Sequence, residues 1–418
     1  MVIGAARLFQ ASIATRDQRR RITLDLNSFQ ALLTTQGQAA LLAAAQLSPT
    51  EETFLAALTQ LQKQYPAPLA KAALETIIFR RKAHSKFTQA ESMYFTREGL
   101  EMASSEIISR YRAQHFAPFN RIADLCCGLG GDSIALASSS PSGGLVGLDL
   151  DPLQLALATQ NLLAHGSTAT FIQSDLTQTP PPAADAYFFD PGRRAAGKRL
   201  FSVRHYRPPL NLIDSWLPVP LGIKISPGVQ LNEIAHYDCE IEFISLEGEL
   251  KECVLWFGPL KTPGITRRAT LLTSSPFHLF TLAPAHPVTL APLSLPKTYL
   301  YEPDPAILRA GLVADLAQQL NAAQLDPDIA YLTADNLTPT PFATAFAIEA
   351  QLPFSQKRLR EKLRALNVGR VTVKKRGSPL DVATLARSLK LKGDEERIIF
   401  LTQVNDQPWV LIGKRTKE

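Results

Sequence analysis

Between Asn120 and Pro259 the sequence is cut into short apolar runs, RIADLCC, GLVGLDL, ATFIQSD, ADAYFFD and LGIKIS, separated by helical or turn-forming stretches. That texture is how a parallel sheet with crossover helices reads, because strands covered on both faces need near-continuous apolar sequence. The first four runs carry an aspartate within them or at their ends: Asp124, Asp149, Asp175 and Asp190. Ligands of open α/β sheets sit at the carboxyl ends of the strands, which is where these acids fall. After the fifth run, CEIEFISLEGELKECVLWFG reads as two strands joined by a short polar turn at Gly248. A parallel sheet that finishes in a hairpin must carry one antiparallel strand. The expected fold class is therefore α/β, a doubly wound sheet with a terminal antiparallel hairpin.

The rest of the chain reads differently. Its 418 residues exceed what one core usually organises. A composition 45% hydrophobic and 20% charged is ordinary for a globular protein and argues against disorder. No run is long enough to cross a bilayer, so no membrane partner is expected. Residues 1–115 read as a helical N-terminal domain, since FQALLTTQGQAALLAAAQL, SPTEETFLAALTQLQKQ and APLAKAALETIIFRRKAH keep helical spacing, the second behind a Ser-Pro-x-Glu start. RDQRRR, near the beginning, lacks the apolar core of a secretory signal and reads as an ordinary N-terminus. Residues 116–285 hold the sheet. Residues 286–351, opening on the proline-rich HPVTLAPLSLPKTYLYEPDP, read as a linker and helical connector, and 352–418 as a small basic α+β domain.

Four cysteines, two of them adjacent at Cys126 and Cys127, form no C-x-x-C pair, and the seven histidines are dispersed. Neither a disulfide framework nor a metal site is expected, which fits a reducing cytoplasm. Cys126 and Cys127 read as small buried strand residues.

Gly128, Gly130 and Gly131 follow the first strand directly and open a helix, so a ligand could approach the backbone without meeting a Cβ. The dinucleotide fingerprint wants a third glycine where this chain has Ser133, and an acid about twenty residues on, which Asp149 supplies. The loop alone does not separate a dinucleotide from S-adenosylmethionine. The four strand-end acids separate them better. An adenosyl ligand would use Asp149 for both ribose hydroxyls and Asp175 for the adenine amino group, with Asp124 and the glycine loop facing the methionine part. Asp132 and Asp151 read as helix N-caps.

On these residues the chain resembles the class I S-adenosylmethionine-dependent methyltransferases: the stretch from Asp124 to Asp132, LVGLDLDP, and the strand-end pair Asp190-Pro191 carry the likeness. More specifically, YFTREGLEMAS, FFDPGRR, SLEGELKECVLWFGPL with RRATLL, and LPFSQKRLREKLRALNVGRVTVKKRG resemble bacterial methyltransferases with a C-terminal THUMP-like domain. A looser similarity links DLCCGLGGDSIALA and MYFTREGLEMA to the RNA-cap trimethylguanosine synthases, which methylate the exocyclic amine of guanine. The resemblance implies S-adenosylmethionine as cofactor, bound by Asp124, Gly128, Gly130, Gly131, Asp149 and Asp175. It also implies catalysis by Asp190 and Pro191. Amine-directed members commonly carry Asn/Asp-Pro-Pro and an aromatic residue at this strand; here Gly192 replaces the second proline and Arg193 the aromatic. Arg193 and Arg194 could stack on a base or hold a phosphate. Tyr94, Phe95 or Tyr206 could supply the missing ring.

Charge points to the acceptor. From Ser355 to Lys392 there are twelve Lys/Arg and two acids, a net of +10, whereas the chain as a whole carries +6, leaving −4 for the remainder. Such a concentration suits a polyanion. Lys374, Lys375 and Arg376 are the expected phosphate contacts, on a tRNA or rRNA. The reading is an RNA methyltransferase acting on a nucleobase amine. A non-catalytic protein that binds both RNA and S-adenosylmethionine, and a methyltransferase for a small molecule or protein, stay open.

Overall fold

The computed structural model describes residues 24–140, 144–195, 198–200, 202–284 and 290–416; the RDQRRR cluster lies outside them. The described residues form two compact units, one running to Lys224 and including Phe257–Leu260, the other holding Ile225–Trp256 and everything from Lys261 onward.

The first unit begins with helices, among them Leu26–Leu32, Thr35–Gln46, Phe54–Leu61 and Ala67–Ala83. Their starts follow from local chemistry. Asp25 accepts from the Ser28 amide at 2.8 Å and Thr34 from the Gly37 amide at 3.1 Å, each satisfying a donor that a helix start leaves unpaired. Ala67–Ala83 is the central member, buried along most of its length, including Leu74, Ile77, Ile78 and Phe79. The segment 87–116 then leads into the sheet through the helices Arg97–Met102 and Glu106–Ala113.

All five parallel strands expected from the sequence are present. Leu221–Ile225, Ala186–Phe189, Arg121–Leu125, Gly144–Asp149 and Thr170–Gln173 stand side by side in that order. The first strand in the chain is central, so the strand order reverses beside it, and the carboxyl ends of Arg121–Leu125, Gly144–Asp149 and Ala186–Phe189 open toward one crevice. The helices Gly131–Ser139 and Pro152–Ala164 make the first crossovers. Asp151 caps the second, accepting from the Leu153 amide at 2.8 Å as expected, with Pro152 in its first turn.

In the second unit the expected hairpin is formed by Glu240–Leu246 and Glu249–Phe257, joined through Glu247 and Gly248, both at positive φ. Arg267–Ser274 runs parallel to the first of these and pairs with Phe277–Leu282. A seven-stranded sheet follows. Its order is Ala323–Asp326, Ile329–Ala334, Tyr299–Pro303, Ala343–Pro353, Gln407–Arg415, Glu395–Val404, Val368–Lys375. Here the sequence reading of residues 286–351 as linker and helical connector is corrected. Short helices Pro305–Ala310 and Val313–Gln319 are present, but Tyr299–Pro303, Ala323–Asp326, Ile329–Ala334 and most of Ala343–Pro353 are sheet strands. Prolines bracket Tyr299–Pro303 without interrupting its interior, where Leu300 and Tyr301 are fully buried. No helix among the described residues is long and apolar enough to cross a membrane.

Candidate active site

A cleft of about 1190 Å³ lies in the first unit at the carboxyl ends of the strands. It is built from the glycine loop outward. Gly128 stands at φ +52° and Gly130 at φ +84°, left-handed conformations that a side chain resists. At Gly130 a Cβ would also lie 3.0 Å from the backbone of Ala158, so this glycine lets two helices approach. At Gly128 nothing lies within 4 Å of that position, and the backbone is open to a ligand.

Asp149 closes the loop. One of its carboxylate oxygens accepts from the Gly128 amide and the other from the Asp151 amide, both at 2.9 Å. Burial raises this carboxyl above the usual aspartate range despite those two donors, so additional hydrogen-bond donors from a ligand would stabilise its charged form. Asp175 also lines the cleft. Thr177 donates to it from hydroxyl (2.7 Å) and amide (2.9 Å), and these bonds hold it below its usual value.

Asp190 and Asp132 line the same cleft, and beneath them lies a cation that the sequence reading did not single out. The Lys224 side chain is 2% exposed, ion-paired to Asp190 and 3.9 Å from Asp132. Asp132 in turn pairs with buried Arg112 and accepts from the Ser109 hydroxyl at 2.6 Å. Asp132 is therefore not the N-cap expected; Gly130 occupies that position, and the acid sits in the first helical turn as a counter-ion. Burial alone would push Asp132 up, but the Arg112 and Lys224 cations hold it below its usual range. Asp124 does not line the cleft. It is buried, accepts from the Ser133 hydroxyl, and is pushed up to about 8 by burial and by the neighbouring charges of Asp132 and Asp190. Ser133, which stands where a dinucleotide fingerprint has glycine, thus has a partner that a glycine would leave unsatisfied.

Gly192 has a geometric reason to differ from proline. Its amide donates to the Arg207 carbonyl at 2.7 Å, the Arg207 amide returns the bond at 3.0 Å, and a Cβ would come within 2.9 Å of that carbonyl. Proline has neither the donor nor the space. This bridge brings Arg207, Pro208 and Pro209 to the cleft wall. Arg193 is half-buried, and the side chain of Arg194 lies outside the described residues.

The expected role of Tyr94 and Phe95 in substrate binding gives way to a packing role. Tyr94 is 6% and Phe95 1% exposed. Asn161 holds Tyr94 in place, accepting from its amide at 2.7 Å and donating to its carbonyl at 3.0 Å and to the Leu129 carbonyl at 2.9 Å. The Tyr94 ring meets Phe29 edge-on at 5.2 Å under Arg80, and Phe95 packs on Phe87. Rings so enclosed have no face left for a base. Tyr206 is likewise buried. It is the residues just after the pair that reach the cleft: Thr96, Arg97, Glu98, Glu101 and Met102 line it. Lys86 fastens that helix, donating to the Leu100 and Ala103 carbonyls at 2.7 Å each. The cysteines beside the loop are unsuited to nucleophilic work, because burial, with Asp149 acting on Cys126 and Asp124 on Cys127, pushes both thiols well above their usual range.

In the second unit Lys374 is paired to Glu302, and Arg376 lies 3.5 Å from the same carboxylate and over the Tyr331 ring. Lys375 is exposed and donates to the Leu380 carbonyl at 3.1 Å. On the helix Gln356–Ala365, Leu359 and Leu363 are fully buried while Lys357, Arg358, Lys362 and Arg364 are exposed. Those four form no ion pair among the described residues.

Comparison with known proteins assigns these regions. A methyltransferase domain model matches residues 122–190, a THUMP domain-like model 343–415, and a domain of unknown function 25–83. An uncharacterized S-adenosylmethionine-dependent methyltransferase of Mycobacterium tuberculosis, found in two strains, is 33% identical over 341 residues, spanning 79% of this chain and 92% of the relative. The crystal structure of a putative methyltransferase from Porphyromonas gingivalis superposes with a TM-score of 0.71 at 22% identity, covering 88% of this chain and all of that one, a likeness of fold.

Proposed function

We propose that this chain, which belongs to the S-adenosylmethionine-dependent methyltransferases, transfers the methyl group to a nucleobase amine in RNA. S-adenosylmethionine is its cofactor. When bound, it supplies an electrophilic methyl group on a sulfonium. The cleft fits such a group: it is large enough, Gly128 leaves its backbone open, and Asp149 has capacity for further donors. In this reading Asp149 accepts the ribose hydroxyls, Asp175 the adenine amino group, and Gly128 and Gly131 take the amino-acid end. Asp124, buried behind the loop, supports it through Ser133 without touching the ligand.

The observation that carries the acceptor assignment is Asp190. It ends the strand Ala186–Phe189, faces the cleft, and is held from behind by Lys224. A carboxylate fixed there accepts an N–H of the acceptor amine and turns the nitrogen lone pair toward the methyl group. Positioning of this kind lowers a barrier by about 7 to 11 kcal/mol at best, with no covalent intermediate. Arg193 follows this acid in the chain and Arg207 bridges to Gly192 beside it, and a guanidinium plane can stack on a base or hold its phosphate. The THUMP-like match and the +10 excess between Ser355 and Lys392 support RNA as the acceptor.

Nucleosides from cells with and without the gene, compared by mass spectrometry, test this reading. One methylated base is expected to disappear from tRNA or rRNA without the gene, and to return with the wild-type gene but not with Asp190→Ala. Unchanged RNA nucleosides would exclude RNA as the substrate.

A further inference from the structure

A second cavity, about 310 Å³, lies among the helices of the first unit and is lined in part by a carboxyl with one oxygen unsatisfied among the described residues. Glu75, in the middle of the helix Ala67–Ala83, is 3% exposed, and its Oε1 has no hydrogen-bond partner among the described residues. Burying a carboxyl without a partner costs free energy, where burying a leucine would stabilise, and buried polar groups in folded proteins nearly always have a partner. Leu24, Leu58, Pro68 and Ala72 make the walls apolar, while Asp25 and Lys71 stand among the lining residues. Lys71, one helical turn before Glu75, forms no ion pair with it among the described residues.

We propose that this cavity binds a small organic cation, an ammonium or amidinium carried on an apolar body, with Glu75 as its counter-ion. The volume suits a ligand of one ring, at the small end of ligand pockets. The charges suit a monocation: Glu75 and Asp25 oppose only Lys71 within the lining. The site is independent of the methyl-transfer chemistry, since none of the strand-end acids lines it.

Proton linkage sharpens the proposal. Burial pushes the Glu75 carboxyl up to about 7; Lys71 on its own helix and Arg97 from Arg97–Met102 oppose that rise, and Asp25 before Leu26–Leu32 adds to it. Leu58 and Gln62 face the cavity from the remaining side without charge. A cation entering the cavity expels the Glu75 proton, so its affinity rises as pH increases from about 6 to 8, whereas a neutral ligand shows no such rise.

The test uses the full-length protein in NMR titrations with benzylammonium, benzamidinium and the neutral benzyl alcohol. At least one cation is expected to bind about tenfold or more tightly than the alcohol at pH 8, and the two cations together distinguish a tetrahedral from a planar donor. Glu75→Gln should bring that cation to the level of the alcohol and abolish the pH dependence. Equal binding of all three probes, or cation binding that survives Glu75→Gln, overturns the proposal. Should that variant fail to fold, Lys71→Ala replaces it: removing the competing cation raises cation affinity by about threefold or more, and an unchanged affinity counts against the site.

Discussion

The floor of the cleft and the VKKRG stretch of the C-terminal sheet both concentrate charge, and the structure uses that charge in opposite ways. In the cleft, buried Lys224 and Arg112 lie behind Asp190 and Asp132, so the cations are structural and the carboxylates face the ligand space. In the C-terminal sheet Lys374 and Arg376 converge on Glu302, which ties both up in ion pairs and offsets one of their two charges, while unpaired positive charge is carried by the helix Gln356–Ala365. A count of charges locates a function roughly. Which charges remain available depends on the partners that folding provides.

Removing the cation from the cleft floor should produce the largest effect. Lys224→Met leaves Asp190 and Asp132 short of a buried partner, and breaking a pair of this kind costs about 3 to 5 kcal/mol. Denaturant unfolding measures it, and adding Asp190→Asn should recover part of the loss. A cost below about 1 kcal/mol would mean that the pair is as weak as a surface one, and the contrast between the two regions would fail.

Asp149→Ala tests the ligand-facing acids. Losing charge-assisted hydrogen bonds, each worth about 1.5 to 3 kcal/mol, should weaken binding of S-adenosylhomocysteine by about tenfold or more in calorimetry. Affinity equal to that of the parent protein would remove Asp149 from the cofactor site.

The smallest effect should come from the stretch that looks most basic. For binding to a bulk tRNA fraction over a range of salt, each lost phosphate contact flattens the slope of log affinity against log salt by about 0.7 to 0.9. Replacing Lys357, Arg358, Lys362 and Arg364 by Ala should lower it by about 3, whereas replacing Lys374, Lys375 and Arg376 should lower it by about 1, since only Lys375 is clear of Glu302. If the second set changes the slope more than the first, RNA displaces the Glu302 pairs and the helix is not the phosphate-binding face.

These outcomes bear on what was legible in the sequence. The five parallel strands, the hairpin, the helical N-terminal region and the glycine loop could all be read, because each depends on local spacing and on residues that few other conformations tolerate. Lys224 left a trace that could have been followed: a lysine inside LGIKIS, an otherwise apolar buried strand, needs a counter-ion. The strands around Tyr299–Pro303 were harder to see, since their prolines and short lengths match a connector until their partners are known. Tyr94 and Phe95 were drawn to the site by their motif, yet the Tyr94 backbone is held by Asn161, 67 residues along the chain, and both rings are buried.

The sequence by itself determined where the glycine loop turns, which segments between Asn120 and Pro259 become strands, and that acids stand at their ends, because periodicity, glycine geometry and capping act over a few residues. Only the tertiary structure decided which of those acids reach the cleft and which charges are spent inside the fold. Asp124 and Asp190 are both strand-end acids, but one is sealed behind Ser133 and the other opens to the cleft over Lys224. Ionic and hydrogen-bonding partners come from segments 9 to 72 residues apart, as Ser133 with Asp124, Lys224 with Asp190 and Lys374 with Glu302 illustrate. Long-range pairing decides whether a charge is buried, neutralised or available, and no local pattern records it.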